Sequence, residues 1–270
     1  MLELLLPYTS RTRAGVSRMG LTFLGILVPC LFAQAPVTVS YLCQPAYARD
    51  WELRGPVEPY VPQAGDIFLA TDQRLWFRWG HLIAGANGVH HSGIIVALPD
   101  GELRLIEAGP FDKVRVEMMD PYQHMSEHAE QGDRVWVRRR RVPLSPEQSA
   151  RLTAFACAQD GKPFALARWF GQLTPLRARG PIKTWFVGEP RGDRPSWFCS
   201  ELVIEGCVAA GIMDRATARP SATYPSDLFW GRSYNLYLNG HLDLERGWYP
   251  PARWLPALPQ QVTSDINSTP

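Results

Sequence analysis

A thiol, an imidazole and a carboxylate on three separate segments are the groups of this sequence best placed by type and spacing to do chemistry. The thiol lies in Trp197-Phe198-Cys199-Ser200-Glu201-Leu202-Val203. With Ser196 as N-cap, Cys199 falls in the first turn of a helix that runs from about 196 to 210 and stops at Gly211. Unpaired backbone N–H groups and the helix dipole there favour a thiolate over a thiol. The same N–H groups can receive an oxyanion as a carbonyl is attacked. Cys199, Leu202, Val203, Gly206 and Ala210 fall at i, i+3, i+4, i+7 and i+11, so the thiol sits at the exposed end of the inward stripe. An inward helical cysteine is also ordinary packing. That plainer reading covers Cys157 and Cys207, which lie deeper inside their helices.

A thiol nucleophile needs an imidazole within reach, oriented by a third group. Of six histidines, His91 opens an apolar run that ends at Leu98. Neighbours on a strand point to opposite faces, so His90 and His91 cannot both serve one site on a regular strand. His91 is inside the run and His90 at its mouth, which makes His91 the candidate base and His90 the alternative. Glu107 shares a face with Leu103 and Leu105 in the next run, and a carboxylate on an apolar face needs a partner. Pro99-Asp100-Gly101 suits a three-residue loop, which would make His91 and Glu107 diagonal neighbours on one face. A plain two-residue turn would separate them, and Glu107 would then cap or pair with an arginine. Ser200, His90 and Trp197 are the candidates for oxyanion or substrate contact.

These groups must be positioned by a few recognisable elements. Gly65–Ala70 reads as a turn and strand, His91–Leu98 and Glu102–Ala108 as a strand pair, and Arg134–Arg138 as a further strand. Ser145 caps a helix to about Asp160, with Pro146 at its first position and a stripe at Leu152, Phe155 and Ala156. Residues 168–197 read as a long connection. The C-terminal stretch, with Trp230, Trp248 and Trp254 among prolines, reads as an irregular arm.

The chain has 270 residues and a formal net charge of +2, which argues against nucleic acid as a partner. Its 24 prolines predict long, stiff connections. Arg11, Arg13 and Arg18 precede an apolar run from Met19 to Phe32, then Ala33-Gln34-Ala35. Residues 1–35 therefore read as a signal peptide or an N-terminal membrane anchor, and the protein as exported, periplasmic or secreted, or anchored facing outside the cytoplasm. Pro36 is a poor neighbour for cleavage. Among the five cysteines a Cys157–Cys207 bridge stays open, with two buried free thiols the preferred reading. His124 and His128 are i and i+4, but no carboxylate follows in a zinc-protease pattern, so neither a metal nor a cofactor is expected. Arg138–Arg141 reads as a charged strand end or an anion-binding patch, and Trp169, Trp185 and Trp197 as groove lining or packing.

Taken in order, Gly65-Asp66-Ile67, His91 to Val96, Leu105-Ile106-Glu107-Ala108, Gly161-Lys162-Pro163-Phe164, Phe198 to Val203 and Tyr224 to Leu228 resemble a known family. It is the circularly permuted NlpC-type cysteine hydrolases of the YiiX/YebB-like group, in which the histidine precedes the cysteine. The resemblance implies an α+β, circularly permuted papain-like fold, an antiparallel sheet or barrel packed against helices, over residues 61–232. An extended lead-in at 36–60 would precede it, and a Pro/Trp-rich irregular arm and tail at 233–270 would follow. It implies Cys199 as nucleophile, His91 as base and Glu107 as the acid that orients the ring. The sequence departs from the family at His90, where a small hydroxyl residue is usual, and at Phe164, where tyrosine is common. The implied activity is hydrolysis of an amide bond through a thioester acyl-enzyme, on cell-wall peptides, without a cofactor. The alternatives are an amidase, thioesterase or acyltransferase for lipid-linked acyl groups, and an inactive binding module of the same fold. The expected partner is a peptide or acyl-amide substrate, with membrane association through the N-terminal segment.

Overall fold

The structure, a computed structural model, describes residues 39–43, 55–86, 88–109, 113–174, 188–233 and 241–257. The N-terminal targeting segment, Cys30, Trp185 and the tail from 260 lie outside the described residues.

Among the described residues, eight strands form one antiparallel sheet: β1 (Ser40–Cys43), β2 (Val57–Tyr60), β3 (Ile67–Ala70), β4 (His91–Ala97), β5 (Leu103–Ala108), β6 (Val116–Met119), β7 (Val135–Arg138) and β8 (Ala252–Leu255). Their order across the sheet is β2-β1-β8-β7-β3-β4-β5-β6. The helices are α1 (Leu75–Ile83), α2 (Pro121–Glu130), α3 (Pro146–Gln159), α4 (Leu166–Gln172), α5 (Cys199–Ala209) and α6 (Pro225–Trp230). The architecture is α+β, a sheet covered by helices on both faces.

Strand alternation sorts the core. Ile67, Leu69, Ile94, Val96, Ile106 and Trp136 pack with Leu152 and Ala156 of α3 and with Leu202, Val203 and Cys207 of α5. Phe68, Ala70, Ile95, Leu105, Val135 and Val137 pack on the other face with Met125 of α2, and with Leu42, Tyr60 and Trp254. Each such aliphatic or aromatic side chain, once buried, contributes about 1.5–3 kcal/mol. That is why the central strands β3 and β4 read as continuous apolar runs rather than as alternating ones.

Several expectations change. The lead-in contributes β1 and β2, and the arm expected to be irregular contributes β8. Val137 pairs with Ala252, and Leu42 with Trp254, so β8 fills the gap between β7 and β1. A four-residue alternation among prolines is too short to stand out, but two open sheet edges need their backbone groups paired. The start of the segment read as a long connection, residues 168–172, belongs to α4. Asp120, whose carboxylate accepts the Gln123 N–H at 2.7 Å, and Pro121 start α2 in a stretch the sequence reading had left unassigned.

Helix α5 begins at Cys199, not at 196. The Trp197 N–H donates to the Pro163 carbonyl (3.0 Å) and its carbonyl accepts from Ala165 (2.9 Å), which keeps Trp197 extended. Phe198 is then the N-cap. Cys157 is exposed, because Leu152 and Ala156 define the buried stripe of α3. Cys207 is buried, and both thiols are free, without a bridge. The Arg138–Arg141 run is structural. Arg138 donates to the carbonyls of Phe229 (3.0 Å) and Tyr249 (3.1 Å), Arg139 pairs with Glu58, and Arg140 lies 4.3 Å over the Trp248 ring.

Candidate active site

The β4–β5 hairpin sets the first geometry. Gly93 pairs with Glu107 and Ala97 with Leu103, and the Leu98 N–H bonds the Glu102 carbonyl at 2.8 Å. Pro99-Asp100-Gly101 remain as a three-residue loop, with Gly101 at φ 87°, the left-handed conformation such a loop needs. His91 and Glu107 are therefore diagonal neighbours on one face, and Nδ1 of His91 lies 2.7 Å from Oε1 of Glu107. Gly93 faces Glu107 across the pair, and a Cβ there would meet the Ile106 carbonyl at 2.8 Å, so only glycine lets the strands close.

His91 has a second carboxylate. Asp72, two residues beyond the end of β3, places Oδ2 3.0 Å from Nε2 of His91. Its own charge is met by Arg74, with Nε at 2.9 Å. The Asp72 N–H donates to Nδ1 of His90 at 2.9 Å, so one residue engages both imidazoles. Behind Glu107, its Oε2 lies 2.9 Å from Nε2 of His124, and Nδ1 of His128 lies 2.8 Å from Oδ2 of Asp133. Except for the half-buried Arg74, all these side chains are buried.

Burial opposes the charged form of His91. The Glu107 charge, the hydrogen bonds the ring donates to Asp72 and Glu107, and the Asp72 charge outweigh it and raise the pKa to about 9. Burial likewise opposes ionisation of Glu107, yet His91 and His124 hold its pKa down to about 2. Asp72 moves down as well, against its own burial, through His91 and Arg74. His90 falls to about 3, because burial, His81 and the charged His91 all disfavour its cation. At neutral pH His91 is thus an imidazolium between two carboxylates, and His90 is neutral. The stability contributed by His91 is complete below its ordinary value of 6.5 and is lost as pH rises through about 9. Urea unfolding should show stability falling over that window by on the order of 3 kcal/mol, and His91→Gln should flatten the slope.

Cys199 is the first residue of α5. Its sulfur is buried, 3.8 Å from the His90 carbonyl oxygen. Burial and the Glu107 charge push its pKa up to about 11, although the Ser92 hydroxyl and the N–H groups of Ser200 and Ser92 favour its charged form. The resting thiol is therefore protonated, which corrects the expectation of a thiolate: desolvation outweighs the field of the helix end. Alternation along β4 turns Ser92 toward this sulfur and His91 toward α2. The thiol and the imidazole share space only around the open end of β4.

That space is a cleft of about 200 Å³ lined by Cys199, Ser200, His90 and His91. Its walls are mostly apolar, from Ala86, Val114, Phe164, Leu166, Trp169 and Phe198, with Arg74 and Lys113 also contributing. The Ser200 hydroxyl donates to the Thr223 carbonyl at 2.7 Å, which leaves its backbone N–H as the group facing the sulfur. Trp197 is not brought to the cleft. It is fully buried, with Nε1 donating to Gln159 at 3.0 Å, so it packs the core.

Sequence reasoning missed Asp72, Ser92, His124 and His128. Asp72 carried one signal, an acid two residues after an apolar strand; the α2 histidines carried only their i, i+4 spacing. Glu107, His124 and His128 bring ligand atoms within 4.8 Å of one another. The carboxylate missing from the local spacing comes from β5, and the donor set is one that suits zinc. As they stand, the hydrogen bonds of Glu107 to His91 and His124, and of His128 to Asp133, account for the burial of these residues.

No family model and no curated protein matches the chain. Among solved structures it is similar to the metalloprotein YiiX from Escherichia coli O157:H7. The identity is 22% and the TM-score 0.38, over 57% of this chain and 69% of that one. This is a weak likeness to the YiiX-like group.

Proposed function

We propose that this chain is an exported or membrane-anchored cysteine hydrolase of circularly permuted papain-like, NlpC-type fold, which cleaves an amide or ester through a thioester on Cys199. The observation that carries the reading is a thiol at the first residue of a helix, opening into the same apolar cleft as an imidazole held by buried carboxylates. In the proposed reaction Asp72 turns wholly to Arg74 and a proton leaves His91 for solvent. Burial then favours the neutral ring. The sulfur and the ring are not in hydrogen-bond contact, so the thiol proton reaches the freed ring nitrogen through water in the shared cleft, and the sulfur attacks the carbonyl carbon. The N–H groups of Ser92 and Ser200 stabilise the developing oxyanion. His91 protonates the leaving nitrogen or oxygen, then draws a proton from the water that releases the acid and restores the thiol. Glu107 holds the ring and balances its charge.

The likeness to NlpC-type enzymes favours cell-wall peptides as substrate. The apolar cleft walls favour an acyl chain, and we take the acyl amide or ester as the leading substrate class. The protonated thiol and doubly engaged His91 favour a third reading, an inactive binding module. One experiment separates the three. The protein is incubated with long-chain N-acyl amides and, separately, with muropeptides, and products and intact protein mass are followed. An acyl adduct on Cys199 with release of fatty acid supports the leading reading. Cleavage of muropeptides alone replaces it with the peptide reading. No turnover of either, together with a Cys199 that resists iodoacetamide up to pH 9, rejects hydrolysis.

A further inference from the structure

The water-facing side of α1 is the wrong kind of surface for a soluble helix. Leu75, Trp79 and Leu82 fall at i, i+4 and i+7, with Ile83 beside them, and all four are exposed, Trp79 by 62%. The opposite face, with Gly80 and His81, is buried. An ordinary amphipathic helix shows the reverse. Helix α4 lies alongside. A Cβ on Gly80 would stand 2.4 Å from the Trp169 ring, so the two helices are in direct contact. From α4, Leu166 and Phe170 are exposed, Phe170 by 56%. Leu166 also lines the cleft, so the apolar surface runs from the outside of both helices into the cleft that holds Cys199. Neither helix carries an acidic residue; Arg78 is exposed and supplies the cation, while Arg168 is paired with the buried Glu201 at 2.8 Å.

We propose that α1 and α4 together form a docking face for an anionic lipid surface, with the cleft mouth pressed against the bilayer. Short helices with Trp, Leu and Phe outward, and arginine but no acid, match the interfacial zone, where apolar side chains enter the acyl boundary and cations meet headgroup phosphates. At nine and seven residues, α1 and α4 are too short to cross a bilayer, so contact through them lies in the interfacial plane. Continuity between docking face and cleft lets an acyl chain pass from lipid to thiol without crossing water. That last point rests on the proposed hydrolase reading; the docking itself does not.

The test uses the full chain with vesicles of phosphatidylglycerol and of phosphatidylcholine, read by co-sedimentation and by backbone hydrogen exchange. Expected are binding that favours phosphatidylglycerol and new protection within 75–83 and 166–172. The double variant Trp79→Ser/Phe170→Ser should lose that protection and bind at least about tenfold more weakly, while melting like wild type because both side chains lie in water. Arg78→Glu should narrow the preference for the anionic lipid. Cys199→Ala should bind like wild type, so failed catalysis and failed docking are distinguishable. Vesicle binding that the double variant leaves unchanged, with no protection in the two helices, overturns the proposal. Protection that appears without vesicles and grows with protein concentration also overturns it, by assigning the face to a second copy of the chain.

Discussion

Cys199→Ala should abolish turnover of an acyl amide, lowering kcat/KM by about 10^4-fold or more, while the protein still folds. The size of the effect follows from the role assigned to the sulfur. In the proposed reaction it is the atom that would bond the acyl carbon, and alanine leaves nothing to form the thioester. The fold should survive because alanine is a good residue for a helix start and removes a single atom. That atom lies at the edge of the core, against the cleft, where solvent or ligand fills the space. The comparison is initial rate on a long-chain N-acyl amide, with thermal unfolding followed by circular dichroism. A variant within about tenfold of wild type would show that another group is the nucleophile and would sink the mechanism.

The second large effect is on stability. Glu107→Ala should destabilise the protein by about 3–5 kcal/mol, the range found when one partner of a buried charge pair is removed. Glu107 is fully buried and serves two imidazoles, His91 at 2.7 Å and His124 at 2.9 Å. Alanine leaves His91 with one carboxylate in place of two, deprives the His124 Nε2 of its acceptor, and opens a void on the α2 face of the sheet. The His91 pKa should fall from about 9, so the loss of stability between pH 6.5 and 9 should shrink in the variant. Urea unfolding of both proteins at pH 6.5 and 9 measures the two quantities together. A loss below about 1 kcal/mol would mean that the carboxylate is not the hub of this network.

Activity and stability pull on His91 in opposite directions. Two carboxylates make the imidazolium a strong structural element, and for the same reason a poor base. The movable partner is Asp72, which lies on the loop leading into α1 and already shares its charge with Arg74 at the cleft. Glu107, within a paired strand and bonded to two rings, is the fixed one. In the proposed mechanism Glu107 would hold the ring and supply the largest share of the stabilisation of its charge, and Asp72 would be the partner whose departure lets the ring release its proton.

Much of the site was legible locally. A three-residue loop with glycine in the left-handed position sets the register of β4 on β5, and register alone puts His91 and Glu107 on one face. Ser145 and Pro146 mark the start of α3, and Leu202 and Val203 pack into the core as their spacing predicts, although α5 is buried all round from Cys199 to Cys207. These features depend on dihedral angles and periodicity within a few residues, which the residue types state directly.

What the sequence by itself determined is therefore the hairpin, the capped helices and the chemical identity of a thiol, an imidazole and an acid. Tertiary structure alone decided that Asp72 reaches the second nitrogen of His91, that α2 brings His124 behind Glu107, and that β8 closes the sheet. Each depends on segments distant in the chain meeting at a particular depth. It also decided the protonation of Cys199. Desolvation sums over every atom packed around the sulfur, and no local pattern of residues encodes that sum.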